Sequence, residues 1–244
     1  MKRVGIVAGM ILFVMVGMAQ ASLVTIGTAT YNGTDYNLIW DDNNNGNSVI
    51  WLDYSNDPAY WQAQTDWAAG LDSSLTYNIA AAYSVNWSDA AWRLPATVDG
   101  DWERGFDGTT TAGWNITTSE MGHLFYEELN NLGLQDTSDN RNDDYGLLST
   151  GAFENLINSA YWSGTRHQDA SANDSWAFNM SVGYQGTGIP YGTCGDGVGG
   201  GYGLAIRTGQ VQVNTTVSTP EPATMLLLGF GIISLAGLRR KVKA

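Results

Sequence analysis

Between residues 22 and 54 the apolar side chains come in short β-branched or aromatic runs, at 23–26, 36–40 and 49–54, with polar turn residues between them. Asn32-Gly33 and the stretch 43–47 are the turns, so the pattern predicts an antiparallel meander. The period then changes. Tyr60, Trp61, Gln64, Trp67, Ala68 and Leu71 recur at spacings of three and four, which lines them up along one side of a helix. Asp57-Pro58 reads as its start, because aspartate caps free N–H groups and proline fits the first helical position; Gly70 marks its end. A second helix is predicted behind Thr117-Thr118-Ser119-Glu120, a capping box running from Thr117 to Glu120. Met121, Leu124, Phe125, Glu128, Leu129 and Leu132 carry its stripe, in which Glu128 is the misplaced member, and Gly133 reads as the C-cap. Short strands return at 160–165, 175–180, 203–207 and 211–213. Residues 183–203, rich in glycine and tyrosine, read as a long loop of the kind that carries function. Strands, two helices and strands again predict one α+β domain over residues 22–213, followed by a polar linker at 214–219.

The two ends have another character. Met1-Lys2-Arg3 is basic, residues 4–18 are apolar, and Ala19-Gln20-Ala21 is the small-x-small pattern that signal peptidase reads. The expected cut follows Ala21, because the apolar core is shorter than the roughly 20 residues of a membrane span. At the other end, Pro220-Glu221-Pro222 precedes an apolar segment, 223–238, and a basic stop containing Arg239 and Arg240. Such a segment enters a bilayer and leaves its cations on the cytoplasmic side. Its marginal length suits a transient anchor that is later cut.

Removing the ends sharpens the charge. Residues 22–220 hold five arginines, no lysine and 23 acidic residues, a net charge of −18. That surface repels nucleic acid and anionic lipid and suits cation binding or solubility in a matrix. Cys194 is the only cysteine, so no disulfide framework forms within the chain. All ten tryptophans lie between Trp40 and Trp176. They supply material for a large aromatic core.

The tail closely resembles the PEP-CTERM sorting signal, whose namesake is Pro220-Glu221-Pro222. The resemblance implies processing by an exosortase-type membrane protease in a Gram-negative bacterium that makes exopolysaccharide. It implies transient inner-membrane anchoring, then a place at the cell surface or in the extracellular matrix. The same tail is also classed as an "ice-binding protein C-terminal domain", a label for the tail alone. In the middle of the chain, Trp92-Arg93-Leu94-Pro95, Tyr161-Trp162-Ser163-Gly164-Thr165, Ser175-Trp176-Ala177-Phe178 and Ala205-Ile206-Arg207 resemble, in this order, the Lcl C-terminal-like domain family. That resemblance implies a variant of the C-type-lectin-like fold and a ligand-binding or structural role. Core packing is the simpler explanation of these motifs, with Arg93 and Arg207 paired to acids.

The candidate chemistry is sparse. Asp41-Asp42-Asn43-Asn44-Asn45-Gly46 opens like a calcium loop, with Asp41, Asn43 and Asn45 as alternating oxygen ligands. Leu52 stands where the closing bidentate glutamate belongs, and a polar hairpin turn is the competing explanation. Tyr184, Tyr191 and Tyr202 are the aromatics expected to stack on sugar rings. Nucleophilic catalysis needs a histidine beside serine or cysteine, and His123 and His167 are the only histidines. Formylglycine-generating enzymes, of related fold, need paired cysteines. The sequence therefore predicts a non-catalytic exported protein associated with exopolysaccharide. The alternatives are a polysaccharide-active enzyme using paired carboxylates and an acidic matrix protein with no defined ligand.

Overall fold

The computed structural model describes residues 23–87, 90–168, 175–188 and 200–214. The predicted meander is present, with longer strands than expected. These are β1 (Leu23–Tyr31), β2 (Thr34–Asn44) and β3 (Asn47–Ala59). Two-residue turns join them, Asn32-Gly33 (φ 49° and 81°) and Asn45-Gly46 (φ 51° and 82°). Positive φ at both central residues matches the twist of a tight hairpin, and asparagine and glycine are the residues that tolerate it. Helix α1 (Trp61–Gly70) follows, and a single 3-10 turn, Leu71–Ser73, continues it. Strands β4 (Thr76–Ile79), β5 (Tyr83–Trp87), β6 (Arg104–Gly105) and β7 (Ala112–Gly113) precede the second helical region. There α2 (Glu120–His123) passes into a π-helical turn, Leu124–Glu128. Strands β8 (Ala160–Arg166), β9 (Ser175–Asn179), β10 (Tyr184–Thr187) and β11 (Gly201–Val213) complete the order.

The strands join in one mixed sheet, in the order β4-β1-β2-β3-β11-β8-β9-β10-β7-β6, with β5 on the far half of β11. Strand β11 is the hub. Residues 201–208 pair antiparallel with β3, and Gly209–Val213 pair antiparallel with β5. At Tyr202 it also meets β8 in parallel, opposite Tyr161.

The centre of the sheet is buried on both faces. Val49, Ile50, Trp51 and Leu52 are each fully buried, a continuous apolar run of the kind that two covered faces require. Successive side chains alternate between two cores. Ile39, Val49, Trp51 and Ile206 face the helical region, where Met121, Leu124, Phe125, Tyr161 and Phe178 complete one cluster. Leu38, Ile50, Leu52 and Ala205 face the other way, toward Leu71 and Trp92. A smaller cluster joins Ala68 of α1 to Leu94, Trp162 and Ala177.

The expected α+β, C-type-lectin-like fold is corrected by this architecture. Among the described residues strand dominates, 46% against 13% helix, in one large mixed sheet with two short helices. Three local causes account for the difference. Asp57-Pro58 does not start a helix but ends β3, and α1 begins after Tyr60 with no side-chain cap. The second helix is capped by Ser119, which accepts the Gly122 N–H at 3.0 Å, in place of the expected Thr117. It then widens, with the Leu129 N–H bonding to the Leu124 carbonyl, and ends at Asn130 with φ 52°, well before Gly133. Segments without a clear period, including Thr76–Ile79 and Tyr184–Thr187, are strands because neighbours in the sheet satisfy their backbone groups. The expected loop at 183–203 thus begins with β10 and ends inside β11.

Candidate functional site

The asparagine-rich hairpin is a structural anchor. Asp41 is fully buried. Its carboxylate accepts the Asn43 N–H at 3.3 Å, the Asn44 amide at 2.9 Å and the Trp51 indole N–H at 3.2 Å. The amides of Asn44 and Asn45 donate to the carbonyls of Glu120 and Ser119, so the hairpin tip is tied to the start of α2. Burial pushes the Asp41 carboxyl above its usual range, against the lowering effect of those three donors. Of the three expected calcium ligands, Asp41 and Asn45 spend their side chains on internal bonds and Asn43 contributes a backbone N–H. Among the described residues no group of three or more histidines, cysteines or carboxylates is placed to hold a metal ion.

Arg93 and Arg207 pair with acids as expected. Arg93 makes a two-pronged ion pair with Glu120 at 2.6 and 2.7 Å, which draws Glu120 away from any capping box. Arg207 meets Asp72 at 2.5 Å and lies over the Trp87 ring. A third tie went unread in the sequence. Buried Asp53 accepts both backbone N–H groups of Glu154 and Asn155 and the Asn155 amide, clamping β3 to the chain ahead of β8. Burial raises its carboxyl as well.

The misplaced stripe residue, Glu128, has an explanation. The π-helical turn rotates it inward, where its side chain is 2% exposed and 3.3 Å from His123 Nε2. Burial, aided by the nearby charges of Asp41, Asp42 and Glu127, pushes its carboxyl up to about 7.

Among the described residues are two clefts of similar size. One, of about 280 Å³, lies between Tyr36, Tyr54, Ser55 and the segment 154–157. The other, of about 270 Å³, lies on the β8–β9–β10 face opposite Phe178 and the first core. Small residues, Ala160, Ala177 and Gly186, leave the room; Trp102, Val182 and Tyr184 form apolar walls, and Asn179 and Thr187 supply polar groups. The Tyr184 ring crosses Gly186, where an added Cβ would come within 2.6 Å of it, and packs edge-on against Trp114 at 4.9 Å. Tyr184 is therefore a half-buried strand residue on this cleft. Tyr202 is elsewhere, its ring 5.7 Å from that of Tyr161 and packed on the first core. The structure does not bring these two together. Tyr191, Cys194 and all the sorting residues (Ala19, Ala21, Pro220, Glu221, Pro222, Arg239 and Arg240) lie outside the described residues. Trp102, 49% exposed, is the aromatic that sequence reasoning missed. The available signal was its setting, an indole inside the acidic, turn-rich stretch 99–107 with no periodic pattern around it.

Among the described residues no helix is long and apolar enough to cross a membrane. Comparison with curated proteins finds no match, and comparison with solved structures finds none. Neither the lectin-like middle domain nor the ice-binding label for the tail receives support. One family description does match: residues 218–241 are recognised as the PEP-CTERM protein-sorting motif. The chain thus carries the sorting signal of an exported protein, recognised by an exosortase-type enzyme and processed at the membrane.

Proposed function

We propose that this is a non-catalytic protein of the cell surface or extracellular matrix, retained there by exopolysaccharide. After signal peptidase cuts behind Ala21, the apolar tail holds the chain briefly in the inner membrane, and the exosortase-type protease releases it. The sorting motif at 218–241 carries this reading. Further support comes from the acidic character of residues 22–220, which suits a protein dissolved in a hydrated matrix. The histidines also fit a structural assignment: His123 packs beside Glu128, and the His167 ring sits 5.3 Å from Trp176.

The test is made in a host that carries the sorting protease. Matrix protein should begin at Ser22 and lack the tail, and deletion of Pro220, Glu221 and Pro222 should leave uncut protein in the membrane. Purified from the matrix, it should co-sediment with the host exopolysaccharide without releasing reducing ends. Release of reducing ends would make it a polysaccharide-active enzyme. Normal-sized matrix protein from the deletion variant would overturn the sorting pathway.

A further inference from the structure

We propose that the cleft between Trp102 and Tyr184 holds a single sugar ring of a neutral polysaccharide, stacked on Trp102. This rests on the reading of the protein as polysaccharide-associated and names the site and the ligand class. Of the ten tryptophans, Trp102 alone is exposed; the others are buried or partly buried. A large exposed aromatic on a mobile loop would mean little, but this loop is strapped on both sides. Asp101 accepts the Gln168 amide at 2.7 Å on its carboxylate and the Thr111 hydroxyl on its carbonyl. The Glu103 N–H donates to the same Thr111 hydroxyl at 3.0 Å, and the Glu103 carbonyl accepts the Ala112 N–H at 2.9 Å. Three residues before Trp102, Asp99 accepts the Trp176 indole N–H at 2.8 Å. The backbone on both sides of Trp102 is thus held in advance of any ligand, which removes part of the ordering cost of binding.

Size and chemistry then select the occupant. About 270 Å³ falls just under the roughly 300–1,000 Å³ of pockets for drug-sized molecules. One ring fits, and the rest of a chain would run outside. The C–H face of a pyranose is apolar and weakly positive, and it complements the negative face of an indole. Its hydroxyls need donors and acceptors, and of the lining residues Thr187 offers a hydroxyl and Asn179 its amide N–H groups, the Asn179 oxygen being held by Ser181. The charge argues for a neutral sugar. Asp99, Asp101 and Glu103 flank Trp102 in the chain, within a region of net charge −18, so uronate or sulfate groups are repelled. The nearest cation along the chain, Arg104, lies over Trp114 at 4.9 Å; it does not line the cleft, although its charge reaches the Tyr184 hydroxyl.

The experiment is affinity electrophoresis of the matrix-purified protein through gels containing dextran, galactomannan or hydroxyethylcellulose, with alginate as the polyuronate arm. Retention is expected on at least one neutral polymer and not on alginate. Trp102→Ala should lose retention at least tenfold with an unchanged melting curve, and Trp102→Phe should recover part of it. Full retention of Trp102→Ala, stronger retention of the wild type on alginate, or no retention on any neutral polymer overturns the proposal. Co-sedimentation with the host polymer separates the two readings. If wild type and Trp102→Ala sediment equally, the cleft assignment fails and the wider function stands. If the wild type does not sediment, the wider function fails.

Discussion

Eight register pairs join β1 to β2 and seven join β3 to β11, whereas a single pair joins β11 to β8 and another single pair joins β10 to β7. The half of the sheet around β3 is held by long backbone ladders with apolar side chains filling both faces. The half from β8 to β6 has short strands, and side chains take over the stitching. There the indoles of Trp114, Trp162 and Trp176 donate to the Val182 carbonyl, the Ala59 carbonyl and the Asp99 carboxylate. Tyr126 donates to the Gly183 carbonyl while accepting the Asn115 N–H. Asn131 accepts the N–H groups of Leu148 and Ser149. A ladder ties every other residue and leaves few side chains free to vary, while a stapled loop holds its shape with a few fixed bonds and exposes what lies between them. The Trp102 cleft lies on the stapled half, as this difference leads one to expect.

The largest test of the comparison is to truncate tryptophans on each side. Trp51→Ala and Trp92→Ala, in the laddered half, should each cost about 3–5 kcal/mol. Trp51 is fully buried and donates to Asp41, while Trp92 is 1% exposed and donates to the Tyr77 hydroxyl at 2.7 Å. Trp162→Ala should cost about as much, because its indole N–H bonds to the last residue of β3 and ties the halves together. Urea denaturation checks all three. If Trp162→Ala melts like the wild type, the stapled half does not depend on that tie.

Asp53→Ala removes the other clamp between the halves. Three donors around residues 154–155 lose their acceptor, at about 1–3 kcal/mol. Hydrogen exchange should show the loss concentrated in residues 147–161, with β1 and β2 still protected. Uniform loss of protection would show that the two halves unfold as one unit.

A smaller effect concerns pH. Glu128 ordinarily titrates near 4.5 and is pushed up to about 7 in the fold. The folded chain therefore binds more protons than the unfolded chain between those values. Its contribution to stability is full below the lower value and declines as pH rises through about 7. The raised carboxyls of Asp41 and Asp53 act in the same direction. Melting temperature should fall from pH 5 to pH 8, and Glu128→Gln should flatten part of that fall, by a few degrees at pH 8. An unchanged slope in the variant would show that Glu128 is solvated in spite of its position.

The smallest expected effect is at Trp102 itself. Trp102→Ala should change stability by about 0.5 kcal/mol or less, as exposed positions do. A larger loss by thermal melting would place Trp102 among the staples instead of between them.

Much of the laddered half was legible in the residues. Asn-Gly turns, β-branched runs and the unbroken run Val49 to Leu52 report directly on local geometry and on burial of both faces. The pairing of Arg93 and Arg207 with acids was anticipated, though not their partners. The stapled half was mostly illegible. Its strands, such as Arg104–Gly105 and Ala112–Gly113, are too short to show a period; these two pair with each other, and a single pair, Gln185 with Gly113, ties them to the rest of the sheet. In the second helical stripe Met121, Leu124, Phe125, Glu128 and Leu129 do turn inward, but Leu132 is 51% exposed beyond the helix end and the geometry is π-helical. A π-helical turn is selected by what the widened turn packs against, and that leaves no mark on spacing.

What the sequence determined by itself was the sorting motif at 218–241, the hairpins, the acidic charge and the aromatic stock of the core, because each is written in neighbouring residues or in composition. The tertiary structure alone decided that strand would dominate over helix and that Asp41 and Asp53 would be internal clamps. It also decided that Tyr184 and Tyr202 would part company and that Trp102 would stand exposed beside a cleft. Those outcomes draw on pairings between distant parts of the chain, such as Asp53 with Asn155, 102 residues apart, which cost chain entropy and form only when the sheet assembles.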